Sequence, residues 1–210
     1  MAQNTPIEDT ILDTAINLAE ARTWESVRLY DIADTLGISL DNIRQHFREK
    51  EDLVEAWFDR ADSAMLNQTT ALDFDQQSSK EKFYQLITVW LDALSPHRRV
   101  TRQMIMNKLE PGHLHIQIPA VMRISRTVQW MREAAHRDAT FIVRAIEETT
   151  LTGIYLATFS CWMRDDSQNS NKTRRLLTRL LDSADCINHY CLGLCGHSKK
   201  AGVSPAEIST

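Results

Sequence analysis

The chain has 210 residues, with 24 Lys or Arg against 28 Asp or Glu, for a formal net charge of −4. A composition that is 43% hydrophobic and 25% charged is that of a globular protein rather than a disordered one, and only 6 Gly and 5 Pro argue against a sheet sandwich and for long helices. The longest uncharged stretch, Thr149 to Met163, is too short to span a bilayer. No charged-then-apolar start suggests a signal peptide. Of the 4 cysteines three fall between Cys186 and Cys195, which makes no disulfide framework. The expectation is an all-α, reduced, cytoplasmic protein. Its charge is uneven: residues 1–60 hold 6 Lys/Arg against 13 Asp/Glu, whereas residues 61–210 hold 18 against 15.

Helical periodicity begins almost at once. Ile11, Leu12, Ala15, Ile16, Leu18 and Ala19 trace an apolar stripe, and Pro6, Glu8 and Asp9 suit the first turn of that helix. A short helix fits Leu29 to Leu36, with Ser26 or Asp31 near its start, and Gly37 stops it. Ser39 can cap a third helix, Leu40 to Phe47. A fourth runs from Lys50 to about Gln68, burying Leu53, Val54, Trp57, Ala61 and Ala64. Polar Thr69 to Ser79 reads as a linker. Helices follow over Lys80 to Leu94 and Pro96 to Leu109, then a turn over Pro111 to Gln117. Longer helices fit Pro119 to Ala135, Asp138 to Arg164 and Asn171 to Tyr190. The count is about nine helices and no strand. From Gly196 the chain reads as a disordered tail. The division is a head over 1–49, a helical body over 50–195 and a tail over 196–210.

Helix, glycine turn, short helix is the geometry of a helix-turn-helix, whose second helix enters the DNA major groove. In Asp31-Ile32-Ala33-Asp34-Thr35-Leu36-Gly37-Ile38-Ser39, Ala33 is small where two helices cross and Gly37 makes the turn. Ile32, Leu36, Ile38, Ile43 and Phe47 can form the small core between them. With Ile43 and Phe47 inward, Leu40, Asp41, Asn42, Arg44, Gln45 and His46 face outward. Asn42 and Gln45 can pair with adenine and Arg44 with guanine. Lys50, at a helix start, can hold a phosphate, while Ser39 and Tyr30 can add hydroxyl contacts. Asp41 faces phosphates unfavourably, and the acidic balance opposes non-specific attraction, which leaves Arg28, Arg44, Arg48 and Lys50 as a local basic cluster.

The motifs Asp31-Ile32-Ala33, Gly37-Ile38-Ser39, His46-Phe47 and Lys50-Glu51-Asp52-Leu53 resemble those of the tetracycline-repressor (TetR) family of regulators, over roughly residues 8 to 60. The chain departs from the family at Arg28, where a Thr is common, and at Arg44, where a Tyr is usual. The resemblance implies a ligand-responsive transcriptional regulator, a repressor, that binds a pseudo-palindromic operator on double-stranded DNA as a homodimer. It implies operator contacts at Ser39, Asn42, Arg44, Gln45, His46 and Lys50. It also implies an effector pocket for an unknown small apolar molecule, with Trp90, Met104, Met106, Trp130, Met131 and Phe141 as candidate lining. Release would follow from an effector that favours the DNA-incompetent spacing of the two heads. On the helix from Asp138, the small residues Ala145, Thr149, Gly153, Ala157 and Cys161 recur every four positions. They form a ridge for a dimer interface or for a crossing with the last helix.

A second resemblance points elsewhere. Leu151 to Thr158 and Trp162 to Ser167 are similar to ubiquinone-biosynthesis accessory proteins, which share the fold and bind lipid or isoprenoid. Other constellations are weaker. His189, Cys191, Cys195 and His197 are ligand-type residues without a common zinc spacing, so no metal and no cofactor are expected. His113 and His115 flank Leu114 within the expected turn, too weak a pattern to assign. No phosphate loop, serine elbow or His-Glu-x-x-His helix is present, and the neighbouring pairs Glu147-Glu148 and Asp165-Asp166 read as solvated surface. No enzyme is expected.

Overall fold

The computed structural model describes residues 6–71, 73–108, 114–137 and 141–196, with side chains throughout except at 107–108, 114–121, 141–142 and 187–196. The α-helices are α1 (Ile7–Ala21), α2 (Leu29–Leu36), α3 (Leu40–His46), α4 (Lys50–Asn67), α5 (Ser79–Leu94), α6 (Arg98–Lys108), α7 (Leu114–Ala134), α8 (Phe141–Trp162) and α9 (Asn171–Gly196). No strand occurs among the described residues.

The head forms because three short helices share one apolar centre. Ile11, Leu12, Ala15, Ile16 and Ala19 of α1 close on Ile32 and Ala33 of α2, on Ile43 and Phe47, and on Leu53 and Val54 of α4. Trp24 and Val27 in the α1–α2 loop are also buried, so that loop is part of the core. Gly37 takes φ 65°, a left-handed exit from α2 that a β-carbon would strain. Acidic and hydroxyl caps fix the helix starts. Asp31 Oδ2 accepts from the Arg28 N–H at 2.9 Å, and Asp52 Oδ2 from the Arg48 and Glu49 N–H groups at 2.7 and 3.1 Å. Ser78 and Glu81 cap the start of α5 reciprocally.

The body centres on aromatic rings carried by α4, α5 and α8. Phe58 stacks on Trp90 at 5.8 Å, and Tyr155 and Phe159 meet Trp90 edge-on at 5.2 and 5.5 Å. Helix α4 belongs to both parts, since its first turns complete the head core and its later turns pack on α5 and α7.

Several expectations need correction. Thr69 to Ser79 is not a loose linker: it forms short 3-10 turns over Gln68–Thr70 and Phe74–Gln76, and Phe74 is wholly buried. Pro96 does not open a helix but sits in a 3-10 turn, Ser95–His97, ahead of α6. The expected turn over Pro111 to Gln117 is shorter at its end, because α7 begins at Leu114 and continues through Pro119. Proline there withdraws one N–H from the early helix but does not stop it. Helix α9 runs to Gly196 rather than Tyr190. The expected tail starts at Gly196, but that residue closes α9; the rest of the expected tail, from residue 197, and His113 fall outside the described residues. His189, Cys191 and Cys195 lie on α9, with side chains outside the described set, as is His197.

Of the two acidic pairs only Asp166 is exposed surface, as expected; the other three carboxylates are buried or half-buried. Asp165 is 2% exposed and accepts from the N–H groups of Ser167 at 2.9 Å and Thr173 at 2.8 Å, and from the Thr173 hydroxyl at 2.7 Å. It is therefore the cap that starts α9. Glu147 pairs with Arg137, and Glu148 Oε2 lies 3.9 Å from Arg132.

Candidate nucleic-acid interface

Helix α3 is seven residues long and would not persist alone, so its neighbours hold it. Ile43 and Phe47 anchor its inner face in the head core. The Ser39 hydroxyl caps it, accepting from the Asn42 N–H at 3.1 Å and donating to Asn42 Oδ1 at 2.7 Å. Leu40, Asp41, Asn42, Arg44, Gln45 and His46 are then exposed together, as the spacing predicts. Tyr30 of α2 is exposed as well.

The outward side chains are not independent. Asp41 Oδ1 accepts from Arg44 Nε at 3.0 Å and Nη2 at 2.7 Å, and its Oδ2 accepts from Gln45 Nε2 at 3.0 Å. The Arg44 and Gln45 hydrogen bonds hold the Asp41 carboxyl below the usual carboxylate range. His46 Nδ1 lies 3.1 Å from Glu8 Oε1 of α1. Two of the expected contact residues are engaged with backbone carbonyls. Arg28 Nη1 donates to the Glu25 carbonyl at 2.7 Å. The Lys50 ammonium, instead of projecting from the start of α4, donates to the carbonyls of Trp24 and Glu25 and sits 4.8 Å from the centre of the Trp24 ring. Burial, with the charge of Arg28 next, lowers the Lys50 pKa from its ordinary value. A phosphate would compete with those carbonyls for it.

Much of the head's acidity is engaged away from α3. Asp9 and Asp13 both grip Arg60, at 2.8 and 2.6 Å. Glu20 takes Arg99 at 2.9 Å, while Asp31 and Asp52 serve as caps. Sequence counting registers these charges but not their partners.

This head matches the family model for bacterial regulatory proteins of the tetR family over residues 11–57. A TetR transcriptional regulator from Nitrosomonas europaea ATCC 19718 is similar throughout, with 57% identity, 86% of this chain and 98% of that chain covered, and a TM-score of 0.77. The chain belongs to the tetR family. TetR regulators from Rhodococcus sp. RHA1 (18% identity, 82% of this chain and 94% of that one, TM-score 0.60) and Streptomyces coelicolor (14% identity, 92% and 87%, TM-score 0.62) share the fold. No curated protein matches the sequence.

In this tetR-family chain the expected pocket lining does not converge. Trp90, Met104 and Met131 are buried core, but Met106 is 59% and Trp130 46% exposed. The reason is helical phase. Val100 and Met104 define the inner face of α6, and Val128 and Met131 that of α7, so residues two positions past Met104 and Val128 point the other way. The Phe141 side chain lies outside the described residues. An open groove of about 530 Å³ runs instead along α5 and α9, lined by Lys80, Tyr84, Gln85, Thr88 and Thr178 among others, and none of the expected residues borders it.

The small-residue ridge of α8 splits. Ala145, Thr149, Gly153 and Ala157 are exposed, and a β-carbon built on Gly153 would meet nothing within 4 Å. Cys161 is half-buried, its Sγ 3.8 Å from the Thr173 hydroxyl of α9. Another face of α8 is buried and includes Leu151, Ile154, Tyr155, Thr158 and Trp162, with Tyr155 against Trp90 of α5. Those five residues belong to the segment that resembles the lipid-binding accessory proteins, and here they are core.

Sequence reasoning missed one buried centre. Asp62 of α4 accepts from Trp90 Nε1 at 2.7 Å and Thr127 Oγ1 at 3.1 Å, and pairs with Arg123 Nη2 at 2.9 Å. Arg123 also reaches Glu55 and Asp59, so one guanidinium of α7 holds three carboxylates on one face of α4. Burial raises the Asp62 pKa above its ordinary value, against the pull of Arg123 and the hydrogen bonds. No described group of residues could hold a metal ion, and no described helix is long and apolar enough to cross a membrane.

Proposed function

We propose that this tetR-family regulator is a repressor that binds a pseudo-palindromic operator as a homodimer, with residues 1–49 as the reading head and 50–195 as the regulatory and dimerising body. The observation that carries the reading is the outward face of α3, where Asn42, Arg44 and Gln45 stand exposed on a short helix pinned by Ile43, Phe47 and the Ser39 cap. These are the side-chain types that pair with base edges, and a helix held this firmly loses little freedom on entering a groove. The homodimer is supported by the exposed ridge of α8, flanked by exposed Ile146 and Leu156.

Response to a small apolar effector is supported by the ties between body and head. Trp57 Nε1 donates to Thr101 Oγ1 at 3.0 Å, Gln103 Oε1 accepts from the Trp24 N–H at 2.7 Å, and Arg99 holds Glu20 at the end of α1. A shift of α4 or α6 in the body therefore displaces α1 and its loop in the head. An effector that prefers the shifted arrangement would lower operator affinity by its differential affinity for the two states.

Selection from a random double-stranded DNA library tests this reading, using purified protein stripped of co-purifying small molecules. The expected result is enrichment of a two-fold-symmetric site whose half-sites lie about one helical turn, or a multiple of it, apart. Failure to enrich any site at low salt would sink the reading. An apolar molecule found among the stripped material would then favour a lipid carrier.

A further inference from the structure

We propose that Asp41 positions the base-reading side chains of α3, presenting Arg44 end-on to one guanine in each half-site. The proposal rests on the DNA-binding reading above. It starts from which donors are already in use. Arg44 gives Nε–H and one Nη2–H to a single oxygen of Asp41, at 3.0 and 2.7 Å. Its Nη1–H groups and the second Nη2–H are left pointing beyond the carboxylate. Those end-on donors are the pair that fits guanine O6 and N7. Gln45 likewise gives one Nε2–H to Asp41 Oδ2 and keeps its carbonyl oxygen and second N–H, the set that adenine N6 and N7 require.

The energetics favour a positioning role over a merely tolerated acid. An exposed arginine loses considerable rotamer freedom when it fixes on a base. Arg44 and Asp41 keep 70% and 60% of their side-chain surface in solvent, so the pair leaves the reading face open. At the same time Asp41 faces the phosphates with a negative charge, which lowers affinity for every sequence alike. A residue that weakens general attraction and orders the specific contact raises the ratio between them. The alternative role, an acid that stabilises the first turn of α3 through the helix dipole, affects specific and non-specific binding together.

The two roles separate in a panel of duplexes carrying each of the four base pairs at every position of the selected site. Binding is measured for the wild type and for Asp41→Ala, Asp41→Asn and Arg44→Ala, with the helical content of each variant checked by circular dichroism. The discrimination of a bidentate guanine contact is roughly 5- to 150-fold. We expect Asp41→Ala to lose most of it at the same position that Arg44→Ala relaxes, while binding scrambled DNA more tightly than the wild type. Asp41→Asn, which keeps an acceptor without the charge, should fall between the wild type and Asp41→Ala. Unchanged base preference in Asp41→Ala, relaxation at a different position from Arg44→Ala, or an equal loss on specific and scrambled DNA would each overturn the positioning role. A wild type with no base preference would overturn the DNA-binding reading as well.

Discussion

Asp62 and Asp165 show how two buried carboxylates in one chain can respond to pH with opposite sign. Burial raises the Asp62 pKa, so its ionised form is disfavoured in the folded state; the stability it contributes is present below the unfolded carboxylate value and lost as pH rises through the folded one. For Asp165 burial again pushes upward, but hydrogen bonds from Ser167 and Thr173 outweigh it and hold the carboxyl well below the ordinary range. Its contribution is therefore present above the unfolded value and lost as pH falls through the folded one. Asp165→Asn should be less stable than the wild type at neutral pH, with the difference in urea midpoint shrinking below about pH 4. A difference that stays constant from pH 7 to pH 3 would contradict the capping role. For Arg123→Met, which leaves Asp62 buried without its charge partner, the expected loss is about 3–5 kcal/mol in urea unfolding at neutral pH. Neither centre was readable in advance. Arg123 lies 61 residues from Asp62, and Asp165 caps a helix through a residue eight positions on, so no local pattern marks either contact.

At the scale of elements, what could be read was what is encoded locally. The stripe of α1, the Gly37 exit and the Ser39 cap are each set by residues within a turn or two, and their helices lie where the spacing puts them. Phase along a helix was less secure: Met106 and Trp130 have core-type side chains on outward faces, and residue type alone suggested lining. The linker failed for the opposite reason, since one buried residue, Phe74, decides its packing within a polar stretch. The α8 ridge offers a test at this scale. Gly153 has open space around its Cα and lies mid-helix, so Gly153→Leu should leave the protomer fold intact or slightly stabilise it. It should weaken self-association if the ridge forms the dimer contact, by at least tenfold in sedimentation equilibrium. Unaltered self-association would move the interface elsewhere.

Across the whole molecule, the acidic head and the more basic body meet at a junction made of specific contacts. Glu20 with Arg99, the Trp24 N–H with Gln103, and Trp57 with Thr101 tie α1 and α4 to α6. The Arg123 hub ties α4 to α7 as well. These contacts make the head's orientation a property of the body, as a regulator requires. With Glu20 on Arg99, and Asp9 and Asp13 on Arg60, the 13 acids of residues 1–60 overstate the charge that α3 presents alone. Affinity for DNA is then expected to rest on specific contacts more than on general attraction.

The direct measurement is a competition titration of a selected symmetric duplex against a scrambled duplex of equal length, across a range of salt concentrations. The account predicts a preference of at least 10³-fold for the selected site, with affinity for it falling as salt rises. Equal affinity for the two duplexes at every salt concentration would contradict it.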